Sequence, residues 1–581
     1  LAAEWPAQTN YLYATYGGKE NDLIFNDKQD LGKIIVLGSG TYRIGSSVEF
    51  DWGTVNIAWA FRDLGMKEVI IINYNPETVS TDYDMSDKLY FEEISFERVL
   101  DIYEKEYPRG VVVSVGGQVS NNLAPKLAST QQIYRTGKVE VIGTEGRDID
   151  RAEDRSKFSQ LLDKLSIKQP KWSQLTTKDD AFEFAKEVGY PILVRPSYVL
   201  SGAAMRVAYS QDQLKEYLDL AAMISKEFPV VISKYMEDAR EVDVDGVCDG
   251  EDVFIGGVME HVENAGVHSG DATMTIPPVT IPITINNRIR KRTQQIAKAL
   301  KIKGPFNIQY LVKDDEVYVI ECNLRSSRSF PFVSKTKGVN LMTLAASVMM
   351  GQKLFEVTGY HKKPSSGIDF WGVKVPMFSF MRLSGADPVL GVEMASTGEA
   401  ACYGETFHEA LLKGLMSTDL KVPIEKGNVL ITVGGELLKR EILPLVQKLN
   451  KLNFNIYATD HTAEVILKNK IEVFILHKLS EKYAKPNIRD YITNNKIDLI
   501  INIPTTRNVE KYLKVIKDEY DIRRMAVGFN IPVLTNLQLA EALVNAIERF
   551  QRKKYTITSL NEYLDRLDWK FGFETNNKKI N

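Results

Sequence analysis

Cysteine is nearly missing from this chain: Cys248, Cys322 and Cys402 are its only thiols in 581 residues. Spaced so widely, they form neither a disulfide framework nor a zinc-ligand pattern, and a reducing compartment is the expectation. No apolar run approaches the roughly 18 residues needed to span a bilayer, and no signal-peptide pattern is visible, so a membrane partner is not expected. An excess of one charge is lacking too. The 73 Lys and Arg against 76 Asp and Glu leave a net charge of −3, which makes no case for a nucleic-acid partner. Low-complexity tracts and short-period repeats are absent, which excludes a solenoid. What is present is ordinary globular composition, 44% hydrophobic and 26% charged. The length predicts about three to four domains.

The pattern of elements is mostly α/β. "KIIVLGSG" (33–40), "EVIIINYN" (68–75) and "GVVVSVGG" (110–117) are short apolar runs ending in Gly or Asn, separated by helical stretches. That alternation predicts parallel strands with crossover helices. A charged helical region opens at residue 148, and strand-rich sequence continues from about 190 to 330. A second α/β alternation begins at "GNVLITVGG" (427–435) and runs through "NFNIYATD", "IEVFILHK", "IDLIINIP" and "IPVLTN".

The residues richest in chemistry lie in "PFNIQYLVKDDEVYVIECNLRSSRSF" (305–330). Alternate strand residues share a face, so Val317, Val319, Glu321 and Asn323 form one set and Asn307, Gln309 and Leu311 another. A three-residue loop, Asp314–Glu316, would place Gln309 opposite Glu321, above an apolar floor of Leu311, Val317 and Val319. Carboxylate and amide oxygens so gathered suit Mg²⁺ or Mn²⁺, which complete their shells with substrate phosphate. Arg325 and Arg328 would grip phosphate or carboxylate with forked hydrogen bonds. A hairpin with a merely solvated polar face is the competing reading. "ILVRPSYVLSGAAM" (192–205) adds Arg195 and a small-residue loop through which backbone N–H groups could approach phosphate. "EHVENAGVHSGD" (260–271) adds a polar loop with two histidines, and "LGSGTYRIGSSVEFDW" (37–52) resembles a dinucleotide fingerprint only loosely.

These stretches, together with "NYNPETVSTDYD", "GPFNIQ" and "GADPVLGVEMASTGE", resemble the large subunit of carbamoyl-phosphate synthase, in its C-terminal half and in the same order along nearly the whole chain. The resemblance implies an α/β multidomain fold. It has a Rossmann-like pre-ATP-grasp domain at about 25–150, an ATP-grasp domain at 151–400 and a methylglyoxal-synthase-like allosteric domain at 420–560. Residues 1–24 would end a central linking domain and 561–581 form a tail. Opening on Leu1, the chain reads as the second half of a longer protein, whose first half and glutaminase subunit or domain would be partners. The implied activity is ATP-dependent phosphorylation of carbamate, for pyrimidine or arginine/urea synthesis, in the cytoplasm or the mitochondrial matrix, by an oligomer.

Carried over by resemblance, Gln309, Glu321 and Asn323 are the ligands of two Mg²⁺ or Mn²⁺ ions, with Glu321 bridging. Arg155, Arg195, Lys234, Met236, Glu241 and Gly266–Ser269 (Gly266, Val267, His268 and Ser269) would contact ATP, and Arg325 and Arg328 the transferred phosphate or carbamate. Lys234 stands where some members have His, and K⁺ is expected near Glu241, His261 and Asn264. In the C-terminal unit Thr459, Thr462, Asn502 and Thr505 are candidates for a small-molecule effector, with helix capping as the alternative for Thr459. Another ATP-grasp carboxylate–amine ligase, or a nucleotide-binding regulatory half without activity, would use the same residue types.

Overall fold

The computed structural model describes residues 10–567 except 22, 26–27, 43–46, 131–136, 176, 197–204, 225–229, 360–366, 419 and 505–512. The small-residue loop expected over 201–204, and Thr505, therefore lie outside the described residues.

The first α/β alternation folds as anticipated. Strands Lys33–Leu37, Glu68–Ile72, Lys88–Tyr90, Val111–Val112, Val141–Ile142 and the edge strand Asn10–Leu12 make one parallel six-stranded sheet. A parallel sheet is covered on both faces, so its strands are apolar throughout, and Ile34, Ile35, Val36 and Leu37 are all fully buried. Helices Glu49–Asp63 and Phe96–Glu106 supply crossovers.

Residues from about 154 to 404 build two antiparallel sheets. One has four strands, in the order Trp172–Gln174, Val230–Lys234, Ile192–Pro196 and Arg206–Ala208, and keeps its own small core around Leu214, Ile232 and Ala181. The other has seven, with Glu316–Asn323 at one edge beside Lys303–Lys313, then Arg240–Asp249 and Val253–Asn264. Its core runs without a break into the first unit, since Ile35 and Val113 belong to the same cluster as Val244, Ile308 and Val319. Helix Glu49–Asp63 packs on helix Leu341–Met349, with Asn340 donating to Asn56 at 2.7 Å. Continuous packing of this kind fixes the first unit against the large sheet, while the four-stranded sheet stands on a separate core.

The last unit is a parallel five-stranded sheet, ordered Phe474–Ile475, Asn455–Ala458, Asn428–Val433, Leu499–Ile503 and Val533–Leu534. Its helix Leu537–Phe550 shares a core with helix Phe407–Ser417 and with Val373 and Val375 of the large sheet. Among the described residues no helix is long and apolar enough to cross a membrane.

Candidate functional site

The hairpin that carries the acid and the amides departs from the expected turn. Its loop is two residues, Asp314 and Asp315, with φ of 51° and 58°, and Lys313 pairs with Glu316. That register alone would set Gln309 opposite Ile320. A bulge between Val319 and Glu321 absorbs the extra residue, and Gln309 does pair with Glu321, as Asn307 does with Asn323. The bulge also flips the face alternation. Val317 and Val319 point into the hydrophobic core and are fully buried, so they are not the floor of the site; Leu311 and Ile320 line it instead. Physically, a regular strand would have put Glu321 in the core with the valines.

Around this patch lies a cavity of about 680 Å³, bounded by the first unit, the large sheet and the four-stranded sheet. Every residue assigned above to ATP, the divalent ions or the transferred group lines it, whereas His261 and Asn264, expected near K⁺, do not. Arg195, on the four-stranded sheet, donates Nη2–H to Glu321 Oε2 at 3.2 Å. Asn323 donates to Glu321 Oε1 at 3.0 Å, and Arg325 Nη2 to Asn323 Oδ1 at 3.2 Å. Burial would raise the Glu321 pKa, but Arg195, Asn323 and Arg325 outweigh it and hold the carboxyl below its usual value, ionised. Arg155 donates to the carbonyl of Ile320, the bulged residue, at 2.6 Å and lies 5.6 Å from the Trp172 ring. Burial, then the Arg195 charge, brings Arg155 down to about 10; burial, then Arg325, does the same to Arg328. Arg155, Arg195 and Arg325 thus face Glu321, with Arg328 beyond Arg325 and Glu153 as a second carboxyl beside Arg325. Such a site is short of negative charge and suits a polyphosphate.

The far end of the cavity holds the other candidates. Gly266 has φ +116°, and a Cβ there would lie 2.0 Å from the Tyr235 hydroxyl, which donates to Ala265 O at 2.9 Å. Only glycine fits. His268 Nδ1 accepts from Gly270 N–H at 3.0 Å, and burial, then the Arg328 and Lys374 charges, push its pKa well below 6.5, so the ring is neutral. Lys234 turns its ammonium to the carbonyls of Gly189 and Tyr190, at 3.0 and 2.8 Å, and Met236 sits beside it on the wall. Glu241, Asp243 and His261 form a buried trio whose donor atoms lie within 4.8 Å of one another; Asp243 was not anticipated. Asp243 Oδ2 meets His261 Nε2 at 2.7 Å, and its Oδ1 accepts from Asn307 at 3.0 Å.

The sequence reading also missed Gln118, Phe50 and Lys374. Gln118 Oε1 accepts from Arg325 Nε at 3.1 Å, and Phe50 lies under both Arg325 and Arg328. Lys374 is buried, 3.4 Å from Glu399 and 3.5 Å from the Ser269 carbonyl. A lysine inside the apolar strand "WGVKVPM" was the available signal for the last.

In the C-terminal unit Thr432, Thr459, Thr462, Lys439 and Lys478 line a pocket of about 100 Å³. Thr459 stands at the N-terminus of helix Asp460–Lys468 but its hydroxyl makes no cap bond, contrary to the capping alternative. Asn502 does not line the pocket. It is fully buried, donating to Thr432 Oγ1 at 2.7 Å and accepting from Arg523 at 2.8 Å, so it braces the pocket from within.

Two antiparallel sheets closing over a deep, arginine-lined cavity beside a parallel-sheet domain define an ATP-grasp protein, here with a methylglyoxal-synthase-like domain behind it. Residues 30–151 match the family described as carbamoyl phosphate synthase preATP-grasp domain, 154–357 the carbamoyl-phosphate synthase L chain ATP binding domain, and 441–535 the MGS-like domain. The chain belongs to the carbamoyl-phosphate synthase large-chain family and corresponds to its C-terminal half. It is 49% identical over 554 residues to the multifunctional protein pyr-3 of Neurospora crassa, covering 95% of this chain and 29% of that protein. It is 48% identical over 555 residues to the multifunctional protein URA2 of Saccharomyces cerevisiae, covering 94% and 24%. To the human mitochondrial carbamoyl-phosphate synthase [ammonia] it is 46% identical over 558 residues, covering 95% and 36%. The chain thus spans about a quarter to a third of these relatives. Among solved structures, the biotin carboxylase domain of Hydrogenobacter thermophilus 2-oxoglutarate carboxylase, in complex with MgADP, ADP and bicarbonate, aligns with TM-score 0.53 at 14% identity, over 68% of this chain and 90% of that one. An N5-carboxyaminoimidazole ribonucleotide synthetase in its ADP complex aligns with TM-score 0.50 at 12% identity, over 67% and 97%. At such identity these establish the fold alone.

Proposed function

We propose that this chain phosphorylates carbamate with ATP, giving carbamoyl phosphate and ADP, as the second synthetic half of a carbamoyl-phosphate synthase. The observation that carries the reading is the meeting of Gln309, Glu321 and Asn323 with Arg195, Arg325 and Arg328 in one cavity. Their oxygens are hard donors on one sheet face, a set that fits Mg²⁺ or Mn²⁺, and a pair of such ions would neutralise phosphate charge when bound. Carbamate oxygen is already an anionic nucleophile, so no general base is needed. Its O–P bond forms as the bond from the γ-phosphorus to the β,γ-bridging oxygen breaks, and ADP leaves with the electron pair. What the residues must do is bring two anions into line. Arg195 and Arg155 would hold the polyphosphate, and Arg325 and Arg328 the transferred group and carbamate. The Gly266–Ser269 loop, Met236 and the Lys234 backbone would take the nucleoside end, with Glu241 at the ribose. The neutral His268 ring adds a dipole without adding repulsion.

Glu321→Gln tests this directly. The variant is expected to lose ATP formation from ADP and carbamoyl phosphate by more than about a hundredfold, while its far-ultraviolet circular dichroism matches the parent. Near-normal turnover would remove Glu321 from the metal site. Within the same proposal, Glu241, Asp243 and His261 are a site for K⁺. Burial raises Glu241 to about 7, a cost that a cation would relieve. The domain limits of about 25–150, 151–400 and 420–560, the missing first half and a glutaminase partner belong to the proposal as well. The pocket with Thr459, Thr462, Lys439 and Lys478 would bind an anionic effector. The family resemblance implies nucleotide effectors in some members and N-acetylglutamate, with an asparagine run at this strand end, in others. Pro504 and the threonines that follow Asn502 in this sequence depart from that run, and we take the effector to be a uridine nucleotide, with pyrimidine synthesis in the cytosol. Calorimetric titration with UTP and with N-acetylglutamate would decide, and heat with the latter alone would reverse the choice.

A further inference from the structure

We propose that Phe50 is a positioning residue for phosphoryl transfer: its ring, delivered by the first unit, holds the guanidiniums of Arg325 and Arg328 side by side without neutralising them. The inference rests on the carbamate-phosphorylating reading above.

Arg325 Cζ lies 5.5 Å from the centre of the Phe50 ring and Arg328 Cζ 5.7 Å. Both are within the reach of a cation–π contact, and one ring thus serves two cations. The ring is 7% exposed and lines the cavity. It is backed by Gly117, where a Cβ would come to 2.9 Å of the ring and where φ is +70°, so the loop behind the ring is shaped to let it in. The hydrogen bonds of Arg325 go to Gln118 Oε1, Asn323 Oδ1 and Ser326 O, which are all neutral oxygens. A carboxylate in place of the ring would orient the arginines equally well, but it would compete with the incoming anion for them. An aromatic face and neutral oxygens orient the Arg325 fork, while Glu153 and Glu321 act on it through space rather than by a hydrogen bond. The cost is repulsion between neighbouring guanidiniums, visible in the depression of the Arg328 pKa to about 10 by burial and then by Arg325. The arginines follow the metal-binding strand, whereas Phe50 and Gln118 come from helices of the first unit. The parallel-sheet unit therefore supplies part of the reactive end of the cavity.

The test compares the 581-residue chain with Phe50→Leu, Phe50→Tyr and a chain carrying pentafluorophenylalanine at position 50, which keeps the shape of the ring but removes the negative charge of its face. Two quantities are read: kcat and KM for ATP formation from ADP and carbamoyl phosphate, and the Kd of inorganic phosphate by calorimetry. The leucine and pentafluoro chains are expected to lose about tenfold to a hundredfold in kcat, with KM for ADP within about twofold, and to bind phosphate about tenfold more weakly; tyrosine stays within about threefold of the parent. If leucine unfolds the chain, the pentafluoro chain decides alone. Equal activity and equal phosphate affinity in the parent and pentafluoro chains overturn the proposal, as does equal loss in the tyrosine and pentafluoro chains, since packing would then be the cause. If the parent itself makes no ATP, the functional reading has failed. Phosphate affinity then decides by itself, an unchanged Kd in the pentafluoro chain overturning the proposal.

Discussion

Glu106 shows how a buried charge can serve the fold alone, away from the cavity. Its side chain is fully buried and bonded to Lys33 at 3.0 Å, Lys88 at 2.9 Å and the Tyr90 hydroxyl at 2.5 Å. Burial raises its pKa, but the Tyr90 hydrogen bond and then the two ammoniums outweigh that, and the carboxyl is held below its model-peptide value of 4.5. Glu106→Gln would leave two largely buried lysines with less compensation. A loss of about 3–5 kcal/mol in urea unfolding is expected at pH 7. A depressed carboxyl pKa contributes stability above the unfolded value and loses it as pH falls through the folded value. The gap between parent and variant should therefore close below pH 4.5. A gap that is the same at pH 7 and pH 3 would mean that packing, not charge, is lost. In the sequence, Lys33 opens the apolar run 33–40 and Glu106 stands in a helical stretch between two such runs. Their pairing joins residues 73 apart in the chain, and no local spacing announces it. The clustering of Gln309, Glu321 and the arginines was legible for the opposite reason: two oxygen-bearing side chains and two cations lie within 20 residues of one another, on and just after a recognisable hairpin.

At the scale of the element, that same hairpin shows where periodicity misleads. Val317, Val319, Glu321 and Asn323 alternate perfectly, so an unbroken strand was the natural reading. Yet that strand would bury the carboxylate among the valines, and the conflict itself is the trace of the bulge. Turn length and bulge offset one another, which is why the pairing of Gln309 with Glu321 came out right from a wrong loop. The turn is open to improvement. Asp314 and Asp315 both hold left-handed φ, which suits Asn-Gly better. The double replacement Asp314→Asn, Asp315→Gly should stabilise the chain by about 0.5–1 kcal/mol in urea unfolding, with phosphoryl transfer unchanged. Destabilisation would show that the two carboxylates do something at the turn beyond closing it. The four-stranded sheet poses a different problem. Its strands lie in space in the chain order first, fourth, second, third, and only its separate core shows that it carries Arg195 as a semi-independent piece.

The largest scale was least legible, because contacts between units leave no local pattern. The irregular segment 380–396 joins the C-terminal unit to the Gly266–Ser269 end of the cavity, and it is gripped on both sides. Helix Leu513–Gly528 lines the small pocket through Asp518, Glu519 and Ile522. From its neighbouring positions Arg523 clasps Asp387 with two bonds of 2.7 and 2.6 Å, Arg524 donates to Ala386 O at 2.9 Å, and Tyr520 to Gly385 O at 2.9 Å. A few residues on, Gly391 O accepts from His268 N–H at 2.7 Å, and Asp271 accepts from Ala395 and Ser396 N–H at 2.8 and 2.9 Å. A shift of the helix on filling the pocket would thus pull on the Gly266–Ser269 loop of the cavity. If the effector reading holds, Asp387→Asn should leave the affinity for the effector within about threefold but cut its influence on KM for ATP about tenfold, the usual coupling between sites being about 1–3 kcal/mol. Thr459→Ala should do the reverse, weakening effector binding while saturating effector still exerts its full influence. The two variants separate occupancy from transmission, and full coupling in Asp387→Asn would place the route elsewhere, through helix Phe407–Ser417 and the core it shares with the large sheet.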